Sequence, residues 1–227
     1  MSIKPYYQHQ GITIYHGDCR EILPELGRFD LLLTDPPYGI KAGAKGKVGG
    51  GAKPAFGGKF VPARDYGAHS WDDSPIDQEL IDSAVAMCKQ AIIWGGNYYA
   101  MPPSPSWLVW DKRNGANCFA DCELAWSNLG CAVRKIEHLW HGMLRKDNEE
   151  RFHPTQKPLG VMSWCISLSK TAGSVLDPFM GSGTTLLAAK LHGLTAVGIE
   201  MSEKYCEVAA MRLSQDSLFY EEPSVTV

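Results

Sequence analysis

The chain has 227 residues, a hydrophobic fraction of 44% and a formal net charge of -3, which is typical of one globular domain with a substantial buried core. The small negative charge excludes a protein that coats a polyanion with its whole surface, and no apolar run approaches the roughly 20 residues that span a bilayer. The first ten residues lack the apolar segment of a signal peptide, so we expect a cytoplasmic protein.

The cysteines bear on disulfides and metals. Seven cysteines, an odd number and widely scattered, indicate reduced thiols rather than a disulfide framework. Five potential ligands lie within one segment, namely Cys118, Cys122, Cys131, His138 and His141. Their spacing is not that of the paired knuckles in structural zinc sites, so we predict no metal centre.

Strands and helices are predicted to alternate from the N-terminus. "GITIYHGD" (11–18) and "RFDLLLTD" (28–35) read as strands, and "CREILPEL" (19–26) reads as a short helix between them. Apolar residues at helical spacing predict a helix over 76–90, followed by a strand at "AIIWGG" (91–96).

In the segment "LLLTDPPYGI" (31–40) the predicted strand stops abruptly, because Pro36 and Pro37 cannot donate to a sheet ladder. Asp35 and Tyr38 flank this rigid dipeptide, which fixes an acceptor, a carbonyl and a ring face relative to one another. One interpretation is a simple strand cap. The other is a pocket for a planar group that bears an amino function.

A glycine-rich stretch follows. Between Gly39 and Arg64 there are six basic residues and no acidic one: Lys41, Lys45, Lys47, Lys53, Lys59 and Arg64. We predict a mobile basic loop over 41–70 that orders on phosphates. A solvated linker has the same composition.

The second half of the chain repeats the alternation. "SWLVWDK", "CELAWSN" and "VRKIEHLW" read as strands joined by turns. A helix over 158–171, a strand and glycine turn at 173–183, a helix at 184–193, a strand at 195–200 and a helix at 202–213 complete the pattern. Alternating elements of this kind predict an α/β domain with a mainly parallel sheet.

The glycine turn in "VLDPFMGSGTT" lets the backbone approach a ligand at a helix N-terminus. It lacks the lysine of a P-loop and the third glycine of the dinucleotide fingerprint. Glu200 ends the next strand, 17 residues after Gly183, where a carboxylate can accept hydrogen bonds from ribose hydroxyls. With Asp177 before the turn, the pocket suits a ribose and an ammonium, which describes S-adenosylmethionine better than NAD.

These motifs together resemble the amino-group (N6-adenine/N4-cytosine) DNA methyltransferases in their permuted β-class arrangement. "DPPY" (35–38) looks like their catalytic motif and "DPFMGSGTT" (177–185) like their cofactor motif. "HPTQKP" (153–158) is similar to the segment that closes over the methionine moiety, while "HGDC" (16–19) and "GIE" (198–200) match the adenine and ribose positions. The resemblance spans nearly the whole chain. The long glycine and lysine loop is its chief departure.

The resemblance implies a Rossmann-like, circularly permuted methyltransferase fold, a single domain over 1–227, with helices on both faces of the sheet. The strand that ends in "DPPY" then lies beside the one that ends in "DPFMGSG".

The resemblance also implies catalytic roles for Asp35, Pro36, Pro37 and Tyr38: Asp35 and the Pro36 carbonyl accept the amino hydrogens, and Tyr38 stacks on a base flipped out of the duplex. It implies S-adenosylmethionine contacts from Asp18, Cys19, Asp35, His153, Thr155, Gln156, Lys157, Asp177, Phe179, Gly181, Ser182, Gly183, Thr184, Thr185 and Glu200.

The partner that the resemblance implies is double-stranded DNA, with residues 107–152 as a target-recognition region. Candidate DNA contacts are Lys41, Lys45, Lys47, Lys53, Lys112, Arg113, Arg134 and Arg145. For any one of these residues alone, solvated surface charge is the simpler interpretation. A homodimer is plausible because the recognition region is small, and a partner endonuclease stays open.

Asp35 favours adenine as the target, since the family more often pairs Ser at this position with cytosine. Cytosine N4 remains the alternative. A protein that keeps the fold but only binds DNA, and an enzyme acting on RNA or a protein amide, are further alternatives. Intact "DPPY" beside an intact cofactor turn argues against the first. The second class generally carries Asn where Asp35 stands.

Overall fold

The computed structural model describes residues 3–39, 75–113, 120–140, 155–170 and 172–215, with Phe152 and the backbone of 47–48 and 64–65. Within these residues the strands are β1 Tyr7–His9, β2 Ile12–His16, β3 Phe29–Thr34, β4 Lys47–Val48, β5 Arg64–Asp65, β6 Cys88–Trp94, β7 Leu108–Asp111, β8 Cys122–Ser127, β9 Arg134–Glu137, β10 Ser174–Asp177 and β11 Thr195–Glu200. The α-helices are α1 Cys19–Ile22, α2 Gln78–Ala86, α3 Leu159–Leu168, α4 Thr184–Leu191 and α5 Glu203–Ser214. None of the helices described here is long and apolar enough to cross a membrane.

One sheet of nine strands organises the molecule, in the order β1-β2-β11-β10-β3-β6-β8-β7-β9. Its centre, from β2 to β6, is parallel throughout. Antiparallel pairing occurs at the β1 edge and where β8 joins β6 and β7. The predicted mainly parallel sheet is therefore confirmed.

The β3 strand lies directly beside β10, as the resemblance implies. Leu31 is opposite Val175 and Leu32 is opposite Leu176, in parallel register. Both strands end at the same edge of the sheet, so the segments that follow them meet there although about 140 positions separate them in the chain.

Helices cover both faces of the sheet. Leu31 and Leu33 point to the face on which α3, α4 and α5 pack, whereas Leu32 points to the face of α1 and α2. These leucines are at most 1% exposed, which explains why β3 is a continuous apolar run rather than an alternating one. The arrangement is the Rossmann-like α/β fold predicted from the sequence.

Several element boundaries differ from prediction, and one edge strand was not predicted. The helix predicted over 76–90 ends at Ala86, because Cys88 already pairs with Phe29 as the first residue of β6. The helix predicted at 19–26 ends at Ile22 and continues as a 3₁₀ turn, which accommodates Pro24 and its missing N–H near the turn's start. The edge strand β1 was not predicted, since its side chains are largely exposed and carry no apolar pattern.

Candidate active site

A cavity of about 570 Å³ opens at the carboxyl ends of β2, β11, β10 and β3. Ligands of open α/β sheets bind at this edge. The sequence-predicted residues that line it are Asp18, Cys19, Asp35, Pro37, Thr155, Gln156, Lys157, Asp177, Phe179, Gly181, Ser182, Thr184, Thr185 and Glu200. Pro36, Tyr38 and Gly183 are adjacent in the chain but are not among the lining residues, and His153 lies outside the described residues.

The glycine turn after β10 requires glycine at Gly183, where φ is +78° and a Cβ would come within 2.7 Å of the Ala209 Cβ on α5. Arg212 of α5 holds the turn from behind. Its Nη1 donates to the Ser182 carbonyl at 2.5 Å and to the Thr184 hydroxyl at 3.2 Å. Arg212 is buried, and its role in supporting this turn was not predicted from sequence.

Gln156 links the "HPTQKP" segment to the same turn. Its Oε1 accepts hydrogen bonds from the Ser182 hydroxyl at 3.1 Å and from the Phe152 amide at 2.8 Å. The segment before α3 and the turn after β10 therefore form one wall of the cavity.

Glu200 is held rigidly at the end of β11. Its Oε2 accepts the Gly181 amide at 3.1 Å and its Oε1 accepts the Ser202 amide at 2.8 Å. Burial raises the pKa of Glu200, and these N–H groups partly oppose that rise. The result is an oriented acceptor on the cavity wall.

Asp18 caps α1 directly after β2, the strand that pairs with β11. It caps the helix by accepting the Arg20 amide, and its carboxylate also pairs with the Arg20 guanidinium at 2.5 Å. Hydrogen bonding from Arg20 lowers the pKa of Asp18. Arg20 lines the cavity as well, although sequence analysis did not select it.

Asp177 ties β3 to the cofactor-type turn. Its Oδ1 accepts the Thr34 hydroxyl at 2.7 Å and the Phe179 amide at 3.1 Å, and Thr185 adds a side-chain hydrogen bond. Burial raises the pKa of Asp177 to about 6 in spite of these donors. The residue as a whole is only 2% exposed, so its carboxylate supports the turn rather than facing solvent.

This raised pKa predicts a pH-dependent stability. Because the folded-state pKa of about 6 exceeds the ordinary aspartate pKa of 3.8, the folded protein binds more protons than the unfolded chain between these values. The free energy of unfolding of the wild type should therefore increase by about 1 kcal/mol, relative to D177N, as the pH falls from 7.5 to 5. Urea unfolding of both proteins at each pH measures this difference, and equal pH dependences would contradict it.

Asp35 sits in a chain of opposite charges. Lys157 Nζ lies 2.5 Å from Asp35 Oδ2 and 3.0 Å from Glu123 Oε2, and Lys112 Nζ lies 2.5 Å from Glu123 Oε1. Burial raises the pKa of Asp35, Lys157 opposes the rise, and Glu123 adds to it. Lys157 was predicted only as a cofactor contact, and Glu123 was not predicted at all.

Tyr38 covers the other side of Asp35. Its hydroxyl donates to Asp35 Oδ1, and its ring stacks on Tyr98 with centroids 4.9 Å apart and planes at 13°. Gly95, at φ +66°, allows this placement because a Cβ there would collide with the Tyr38 ring. The Tyr99 hydroxyl donates to the Pro37 carbonyl and fixes the "DPPY" turn.

The candidate DNA contacts are only partly described. Lys41, Lys45, Lys53 and Arg145 lie outside the described residues, and Lys47 is described only as backbone of β4. Lys112 is directed at Glu123, and Arg113 is 3.3 Å from Glu137. Arg134 is exposed at the start of the edge strand β9.

The parallel sheet and the cavity at its strand ends indicate a Rossmann-like methyltransferase fold. Solved structures of DNA methyltransferases share this fold. The M1.HpyAVI–SAM complex is 23% identical with a TM-score of 0.53, covering 88% of this chain and 99% of that one. PvuII DNA methyltransferase (cytosine-N4-specific) is 15% identical with a TM-score of 0.57, covering 96% of this chain and 91% of that one. These likenesses establish the fold.

The sequence comparisons show similarity to DNA methyltransferases. The sequence profile of the DNA methylase family N6_N4_Mtase matches residues 100–211. The type II methyltransferase M.ScaI from Streptomyces caespitosus is 29% identical, over 94% of this chain and 85% of that protein. The chain is therefore similar to this DNA methylase family over residues 100–211 and to M.ScaI over nearly its whole length.

Proposed function

We propose that this protein transfers the methyl group of S-adenosylmethionine to the exocyclic N6 of an adenine that has been flipped out of duplex DNA. One observation carries the proposal. Asp35 lines the same cavity as Gly181 and Glu200, so the acceptor motif and the cofactor-type motif contribute to a single site. The similarity to the type II methyltransferase M.ScaI supports DNA as the substrate.

The residues that line the cavity fit S-adenosylmethionine. Glu200, held by two backbone N–H groups, would accept the ribose hydroxyls, and Asp18 with Cys19 would border the adenine. Among the described lining residues the cations are Arg20 and Lys157, each paired with a carboxylate, so none is left for a pyrophosphate. When bound, this cofactor supplies a methyl group activated by its sulfonium. The same fold holds SAM in the M1.HpyAVI complex.

Asp35 and the Pro36 carbonyl would orient the acceptor. An exocyclic base nitrogen is a poor nucleophile because its lone pair is delocalised into the ring. Accepting its two hydrogens favours a localised lone pair, and holding that nitrogen in line with the methyl group supplies much of the rate. The Tyr38 hydroxyl now donates to Asp35 Oδ1, so Tyr38 must release this oxygen when the amino group arrives. Its ring would then stack on the flipped base.

The DNA path is proposed from charge. Lys41, Lys45, Lys47 and Lys53 follow "DPPY" closely in the chain, and Arg113, Arg134 and Arg145 lie further along, before "DPFMGSG". These cations would neutralise phosphates and position the duplex without reading its sequence. The motif order, with "DPPY" before "DPFMGSG", supports the permuted arrangement.

The methylated base tests the proposal. Unmethylated DNA treated with the protein and S-adenosylmethionine, then digested to nucleosides, should yield N6-methyladenine as the main product by mass spectrometry. Asp35 is the reason to expect adenine, although its carboxylate could also hold the amino group of cytosine. A predominance of N4-methylcytosine would overturn the choice of base and leave the rest standing. A parallel digest without the cofactor is the control.

A further inference from the structure

Glu123 reaches the active site from outside the recognised motifs. It lies on β8, which pairs with β6, and β6 pairs in turn with β3, the strand that delivers Asp35. The Gly95 amide donates to the Leu124 carbonyl at 2.8 Å, which anchors β8 beside the turn that accommodates Tyr38. Glu123 is thus held by the sheet rather than by a loop.

The side chains form an alternating row of charges: Asp35, Lys157, Glu123 and Lys112. The separations along this row are 2.5 Å, 3.0 Å and 2.5 Å. Burial raises the pKa of Glu123, but the ammonium groups of Lys157 and Lys112 outweigh that effect and bring it down to about 2. These contacts favour the ionised carboxylate of Glu123.

A row of largely buried charges contributes little net folding stability by itself. Removing charged groups from water is costly, and apolar residues of similar volume often serve a buried site equally well. What distinguishes this row is that one end is the carboxylate that would accept the base amino group. Lys157, with its side chain only 6% exposed, is shared between that carboxylate and Glu123.

On the basis of the proposed methyl transfer, we propose that Glu123 is a positioning residue for Asp35 and acts through Lys157. Lys157 contacts Asp35 at 2.5 Å, and the negative charge of Glu123 at 3.0 Å offsets part of the ammonium charge that acts on Asp35. Asp35 then keeps its strength as a hydrogen-bond acceptor and can exchange the Tyr38 hydroxyl for the amino group of the base. Lys112 holds Glu123 in place from the other side.

The test is E123Q, which keeps the shape and removes the charge. Lys157 should then bind Asp35 alone, so kcat should fall by about 10- to 100-fold, as expected when a reacting group is held wrongly. The Kd for S-adenosylmethionine and the Kd for DNA should stay within about twofold, since Glu123 does not line the cavity. E123D, which restores the charge, should recover part of kcat.

The pH profile separates positioning from a purely structural role. Among the described residues, the charged and titratable groups around Asp35 are Lys157, Glu123, Tyr38 and Asp177. Activity requires the Asp35 carboxylate and is lost as the pH falls through its pKa. Removing the negative charge of Glu123 lowers that pKa, so the acid limb of kcat should move to lower pH in E123Q. Removing the positive charge in K112M should move it to higher pH.

Glu137 offers a matched control. It is also paired with two cations, Lys135 at 2.9 Å and Arg113 at 3.3 Å. However, it is exposed on the edge strand β9, and three strands separate β9 from β3, the strand that precedes Asp35. E137Q should keep the wild-type kcat and acid limb.

Each outcome decides the proposal. An E123Q enzyme with wild-type kcat and an unmoved acid limb overturns it, as does a loss of kcat with an unmoved limb, which would mark a structural role. If E123Q does not fold, the direction of the K112M limb decides. If the wild type itself methylates no DNA, the proposed function fails and this inference with it, whereas an active wild type with an indifferent E123Q defeats this inference alone.

Discussion

Replacing Asp35 by alanine is expected to reduce the single-turnover rate of methyl transfer by about 10²- to 10³-fold, the size of loss that follows removal of one aligned hydrogen-bonding group from an active site. The physical reason is that the base amino group loses the acceptor that localises its lone pair. The cofactor cradle of Gly181 and Glu200 is untouched by the change, so the Kd for S-adenosylmethionine should stay within about threefold. Rapid-quench assays with labelled cofactor measure the rate, and calorimetry measures the affinity.

The fold should survive this substitution. Lys157 keeps Glu123 as an ionic partner at 3.0 Å when Asp35 is removed, so its ammonium is not left without a carboxylate. Asp82→Ala, at an exposed position on α2, is the control for loss of a carboxylate elsewhere and should leave the rate unchanged. Near-normal turnover in D35A would refute the assigned chemistry.

Glu200→Ala should act on the cofactor instead. Losing a charged acceptor for the ribose hydroxyls should cost about 1.5–3 kcal/mol of binding, which is roughly a 10- to 150-fold increase in the Kd for S-adenosylmethionine. Saturating cofactor should restore much of kcat, because Asp35 and its partners are intact. Glu203→Ala, three residues further on the exposed start of α5, is the matched control. An unchanged Kd in E200A would remove Glu200 from the cofactor site.

The opposite responses of D35A and E200A divide the cavity into two functions. Asp35 follows β3 and Glu200 ends β11, with β10 between these two strands in the sheet. One variant should lose rate at constant affinity, and the other should lose affinity with a recoverable rate. A single defect common to both would indicate that the cavity binds one ligand as a unit.

Much of this site could be predicted from sequence because its residues follow strands directly. Asp35, Asp177 and Glu200 each end an apolar strand or follow one, and glycines or prolines mark the turn after two of them. Parallel strands bring such ends to one edge of the sheet, so local pattern was enough to group these residues. The cavity lining confirms that they lie together.

The remaining parts depend on strand order, which a local pattern does not contain. Glu123 faces Lys157 only because β8 returns antiparallel beside β6, and a run such as "CELAW" reads simply as a strand. Arg212 supports the glycine turn from α5. The mixed composition of that helix does not reveal that this arginine is buried. Both contacts join residues that are more than 25 positions apart.

The segment predicted for target recognition shows the same limit. Part of residues 107–152 forms β7, β8 and β9, which extend the central sheet. Lys112, selected from its charge as a DNA contact, is directed at Glu123 instead of standing free at the surface. Lys112 directly follows β7, and charge alone does not reveal to which side of the sheet such a residue is directed.

The most direct measurement is methyl transfer itself. The purified protein is incubated with S-adenosylmethionine carrying a radiolabelled methyl group and with duplex genomic DNA from a host that lacks DNA methylation. The proposed function predicts label in the DNA, on an exocyclic base nitrogen, with D35A as the inactive reference. Transfer of label to RNA or protein but not to DNA, or to no acceptor at all while the cofactor binds, would contradict it.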